Sequence, residues 1–118
     1  MKASANPFYA PWANARSRAK RRGNPFRITV HMIEWIWKGR CECCGRAMDQ
    51  PGTKGVGRLY APSLDEIDPG FGYELGNIGW LCGLCNVRKR DSTVGDLQRI
   101  MNYMEYEDNG TYRKKAVD

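Results

Sequence analysis

Two Cys-x-x-Cys pairs, Cys41/Cys44 and Cys82/Cys85, punctuate this 118-residue chain. Thiolates at that spacing can grip one ion because the short turn aims both sulfurs inward, and two such turns complete the tetrahedron of a structural zinc site. Any fold that satisfies the pattern must bring the two pairs together. Residues 45–81 are longer than the span of a simple zinc ribbon, so the spacing predicts a folded unit between the pairs. Cys43 is read as a non-ligand, since ligation by it would leave a single intervening residue in the first turn. A redox dithiol and coincidental core cysteines are the rival readings, and the first lacks a thioredoxin-like context. Zinc modules bind their ion by about 10–16 kcal/mol, against a domain stability of about 5–15 kcal/mol. Loss of one ligand is therefore expected to be severe.

Lys and Arg number 19 against 13 Asp and Glu, a net charge of +6, which suits a partner that carries phosphates. The length suits one domain. No apolar run approaches the roughly 18 residues of a membrane span, and the basic N-terminus lacks the apolar core of a secretory signal. An intracellular protein is the expectation. Thiols stay reduced there, which favours metal over disulfides.

Residues 1–10 read as an irregular arm. A helix is expected from Pro11 to Arg22, stopped by Gly23 and Asn24-Pro25. It carries a thin apolar stripe of Trp12, Ala15 and Ala19 beside Arg16, Arg18, Lys20, Arg21 and Arg22. No acidic residue occurs from Lys2 through Thr29, which favours phosphate contact over a merely solvated face. Thr29 can cap a second helix over Val30 to Lys38, ended by Gly39, with Ile33, Ile36 and Trp37 buried. His31, the only histidine, is assigned to that helix's surface or packing. Met48 to Val56 reads as a surface loop. Extended segments are expected over Leu59–Ile67 and Ile78–Leu81, separated by Pro69-Gly70-Phe71-Gly72, and then a helix opened by Cys85-Asn86. Thr93-Val94-Gly95-Asp96 resembles a capping box, followed by an apolar face of Val94, Leu97, Ile100, Met101 and Met104 that is core or partner contact. The tail after Glu107, with Arg113, Lys114 and Lys115, is expected to be mobile. The chain thus divides into a basic arm and helix (1–28), a zinc-stapled unit (29–92) and a C-terminal helix and tail (93–118).

Ser63-Leu64-Asp65-Glu66-Ile67-Asp68-Pro69, Gly72-Tyr73, Gly76-Asn77-Ile78 and Leu81-Cys82-x-x-Cys85-Asn86-x-x-Lys89 together resemble the HNH endonuclease family. Upstream, Arg18-Ala19-Lys20-Arg21-Arg22-Gly23 with Pro25-Phe26 and Thr29 resembles the family's basic lead-in, so the likeness covers residues 16–92. The chain looks most like the small zinc-bearing, phage-type branch, and it is similar in general layout to recombination endonuclease VII. The resemblance implies an α+β fold: a small ββα-metal (HNH, or His-Me finger) core with a structural four-cysteine zinc site and flanking helices.

It also implies a site. Asp65 and Asn86 would hold magnesium or manganese through oxygen, a hard donor set that suits these ions, and Asn77 would hold the hairpin loop. Glu66 stands where nucleases of the family usually carry a histidine base. An imidazole titrating at about 6.5 accepts a proton usefully at neutral pH, and an ordinary carboxylate is a poorer base. Glu66 could act as base in surroundings that make it more basic, or as a further metal ligand. Asp68 or His31 could serve instead. The simplest alternative for Asp65 and Glu66 is an exposed acidic strand end.

The implied partner is DNA, bound through backbone phosphates by Arg16, Arg18, Lys20, Arg21, Arg22, Arg88, Lys89 and Arg90. The implied activity is metal-dependent phosphodiester hydrolysis, in a bacterial host's cytoplasm if the chain is phage-encoded. A catalytically silent zinc module that binds DNA or serves in a phage assembly is the second reading, and an adaptor binding only protein the third. A homodimer or a phage protein partner stays open.

Overall fold

The computed structural model describes residues 6–106; residues 1–5 and the tail from 107 onward lie outside it. Helix α1 spans Tyr9–Arg22. It starts two residues before Pro11 because Asn6 sets the entry turn: its Oδ1 accepts the Phe8 N–H at 2.9 Å and its carbonyl accepts that of Tyr9 at 3.0 Å. Nor is the end of the arm irregular, since Phe8 is buried edge-on against Trp37 and Trp80. Gly23 ends α1 in the left-handed region, its N–H turned back to the Ala19 and Lys20 carbonyls. Small Ala15 and Ala19 on the inner face let α1 lie close to the core.

Helix α2 (Val30–Trp35) is capped by Thr29, whose hydroxyl accepts the Met32 N–H. It stops short of Lys38 because the Trp37 N–H turns back to the Glu34 carbonyl, bringing Trp37 against Trp80. Strand β1 (Pro62–Glu66) is shorter than its apolar pattern suggests: residues 57–61 form a turn in which the Tyr60 and Ala61 N–H groups bond the Gly57 carbonyl. Strand β2 (Ile78–Cys82) is wholly buried and pairs antiparallel with β1, Asp65 opposite Gly79 and Glu66 opposite Ile78. Trp80 at its centre is fully buried and donates its indole N–H to the Ile33 carbonyl at 2.9 Å.

Helix α3 (Gly83–Lys89) begins directly at the end of β2. Its cap is a thiol, Cys82 Sγ accepting the Cys85 N–H at 3.5 Å, so Asn86 lies within the helix and not at its opening. Helix α4 (Val94–Glu105) has the full capping box, Thr93 and Asp96 each bonding the other's backbone N–H. None of its residues is buried: Val94, Leu97, Ile100, Met101 and Met104 are all exposed, so that stripe is not part of the described core. Among the described residues no helix is long and apolar enough to cross a membrane.

Candidate metal centre and acidic cavity

Around Cys41 the chain folds into a tight knuckle. The Cys41 N–H bonds the Arg46 carbonyl at 2.8 Å, and the Gly45 N–H returns to the Cys41 carbonyl at 2.9 Å. Glu42 fastens this knuckle to the sheet, its N–H on the Trp80 carbonyl and its carboxylate on the Trp80 N–H, both at 2.9 Å. The sulfurs of Cys41, Cys44, Cys82 and Cys85 consequently lie within 4.8 Å of one another, with Cys44 and Cys82 3.9 Å apart. Bonds of about 2.3 Å to a tetrahedral zinc require sulfurs a little under 4 Å apart; the Cys44–Cys82 pair already has that spacing, and the four together could close on such an ion. Burial works against ionisation of Cys41, but backbone N–H groups of Cys44, Cys82 and Cys43 aimed at its sulfur outweigh it and bring the thiol down to about 6. Burial and hydrogen bonding to the other sulfurs push Cys85 the other way. A thiolate at Cys41 is thus favoured while Cys85 resists ionisation, and a bound cation would offset that resistance because metal ligation takes cysteine as thiolate. Cys43 stands outside the cluster and is exposed.

The hairpin joins this centre to a second feature. Asn77 is buried at the base of the turn between the strands, where its Oδ1 accepts the Asp68 N–H at 2.9 Å and its Nδ2 donates to the Gly72 carbonyl at 2.7 Å. Glu66 holds the same turn from the strand side: its Oε2 accepts the Gly72 N–H at 2.8 Å, while the Asn24 Nδ2 donates to Oε1 at 3.3 Å. Gly72 at φ +111 is a conformation few other residues adopt, and a side chain there would press on the Pro25 ring. Asp65 and Glu66 are only 7% and 6% exposed, which removes the reading of an exposed acidic strand end.

Asp65, Glu66, Tyr73 and Asn86 line a cavity of about 440 Å³ whose wall also includes Arg18, Arg22 and Arg90. Burial raises the Asp65 carboxyl above the ordinary aspartate range; Lys89 opposes that shift and the adjacent Glu66 charge reinforces it. Asp65 and Asn86 both bring side-chain oxygens to this cavity, hard donors that could hold a divalent ion retaining several waters. His31 is exposed on α2 and does not line this cavity.

The basic residues divide. Arg18 is half-buried and donates to the Leu64 carbonyl at 3.3 Å, tying α1 to β1. Arg16 lies over the Trp12 ring, and Lys20, Arg21, Arg22, Arg88 and Arg90 are exposed. Lys89 points inward, its ammonium 3.2 Å from Asp65 Oδ2. Asn24, Tyr73, Asp91 and the inward turn of Lys89 escaped sequence reasoning. Tyr73 had a signal in the Gly72-Tyr73 step, but Asn24 read only as a helix stop.

A two-stranded hairpin followed at once by a helix, with a cysteine cluster that could hold a structural metal, makes a small α+β fold of the HNH kind. The chain is similar to the solved structure of the rare-cutting HNH restriction endonuclease PacI, with 18% sequence identity, a TM-score of 0.56, and coverage of 79% of this chain and 72% of that one. At that identity the likeness shows the fold. No protein-family model and no curated protein sequence matches the chain.

Proposed function

We propose that the protein is a metal-dependent DNA endonuclease of the HNH class, from the small zinc-bearing branch similar to endonuclease VII. The observation that carries this reading is the convergence of Asp65, Glu66 and Asn86 on one cavity walled by Arg18, Arg22 and Arg90. Asp65 and Asn86 would hold magnesium or manganese, and the ion when bound would polarise the scissile phosphate and stabilise the leaving oxygen. The arginines orient and neutralise the flanking phosphates. Glu66 takes the base position: a carboxylate offers about four lone-pair sites, and its hydrogen bonds to Gly72 and Asn24 leave it room to accept a proton from water. The four cysteines would hold zinc, fixing the start of α3 and with it Asn86.

A zinc module that binds DNA without cleaving it is the second reading, and the glutamate at position 66, where the family usually carries a histidine, favours it. Incubation of zinc-loaded protein with supercoiled plasmid and manganese separates the two. Nicking is expected, with a loss of about a hundredfold or more in Asp65→Ala and Asn86→Ala, since a catalytic ion supplies several kcal/mol of transition-state stabilisation. Retained DNA binding with no nicking between pH 6 and 9 would leave only the binding module.

A further inference from the structure

The Lys89 ammonium sits against both carboxylate oxygens of Asp65, the atoms a metal ion held by Asp65 would need. Lys89 lies in the last turn of α3, three residues beyond Asn86 and so on the same side of the helix. Its ammonium lies 3.2 Å from Asp65 Oδ2, 3.4 Å from Asp65 Oδ1 and 3.2 Å from the Glu66 carbonyl. Three donors therefore meet three acceptors. The side chain is 22% exposed and that of Asp65 only 9%, so the pair is shielded but open on one side. Two carboxylates succeed each other here on one strand, and the lysine compensates the first while Gly72 and Asn24 hold the second.

An ammonium and a divalent cation cannot share the same carboxylate oxygens: at this separation their repulsion in a half-buried site is far larger than across water. We infer that Lys89 is the resident counter-ion of Asp65, which a divalent cation must displace in order to bind. Once displaced, Lys89 stands between Arg88 and Arg90 with its charge available to a phosphate, so metal entry and phosphate binding at this site favour each other. Linkage makes that coupling reciprocal.

The inference rests on Asp65 being a metal ligand, and the test separates the two. Manganese affinity is measured by calorimetry and by the electron paramagnetic resonance of free Mn2+. The zinc-loaded protein is used at pH 8 without nucleic acid. Lys89→Met is expected to bind manganese about tenfold more tightly than wild type, within the usual range of such couplings, and Lys89→Arg to stay close to wild type. Asp65→Asn should lose the site. If Asp65→Asn binds manganese like wild type, both the metal reading and the inference fall. If Asp65→Asn loses binding but Lys89→Met binds no more tightly than wild type, the metal reading stands and the counter-ion role is overturned. Lys89→Gln, which keeps a polar head, replaces Lys89→Met should the latter lose its zinc or its far-ultraviolet circular dichroism.

Discussion

At Glu66 one side chain serves two ends. The carboxylate faces the cavity where a base would be useful, yet it is also an acceptor that the hairpin turn requires, because the buried Gly72 N–H has it as partner. A buried donor stripped of its acceptor costs about 1–3 kcal/mol. Glu66→Ala should therefore lower the free energy of unfolding by about that amount in urea titration. Glu66→Gln, which keeps an oxygen in place, should recover most of it. If Glu66 is also the base, the Gln variant will fold nearly as well as wild type and still fail to nick. Equal stability of the Ala variant and wild type would mean that the turn stands without this hydrogen bond.

The junction from β2 to α3 has no loop, and this element boundary positions everything else. Cys82 closes the strand, contributes a sulfur to the cluster and caps the helix, while the Leu84 N–H bonds the Leu59 carbonyl at 2.8 Å. The 57–61 turn comes so near that a Cβ on Gly83 would collide with the Arg58 carbonyl oxygen. Gly83→Ala is expected to cost about 1–3 kcal/mol, as overpacking does, and to speed zinc release to a chelator such as 4-(2-pyridylazo)resorcinol. Unchanged melting and unchanged release would show that the turn simply moves aside. Much at this scale was legible in the sequence, because it is local. The cysteine pairs, the Thr29 cap, the Thr93/Asp96 box and the Asn77-Ile78 re-entry into β2 are signalled by residues within a few positions of one another. What was not legible joins distant residues only after the staple closes: Asn24 to Glu66, Glu42 to Trp80, Lys89 to Asp65. Helix α2 and strand β1 are shorter than their sequence patterns for a related reason. Their apolar patterns run on into Trp37 and Leu59, but tertiary contacts recruit those ends into turns.

For the molecule as a whole, the core gathers side chains from α1, α2 and both strands into one cluster that reaches the candidate ligands Cys41, Cys82 and Cys85. The basic α1 is thereby held beside the cavity, and Arg18, Arg22 and Arg90, far apart in the sequence, come together on the face that holds it. On the nuclease reading, that face meets the phosphate backbone. Each phosphate neutralised by a cation releases condensed counter-ions and steepens the fall of log K with log salt by about 0.9. Arg22 and Arg90 line the cavity, so Arg22→Ala and Arg90→Ala should each weaken binding to a short duplex irrespective of its sequence. Each should also flatten the salt slope by about one unit. Arg16, which lies over Trp12, should matter much less. Fluorescence anisotropy across a salt series checks this ordering. An Arg16→Ala slope as flat as that of Arg22→Ala would mean that the whole basic helix meets DNA and that the cavity wall has no special part. A binding constant insensitive to salt would remove the phosphate backbone as the partner altogether.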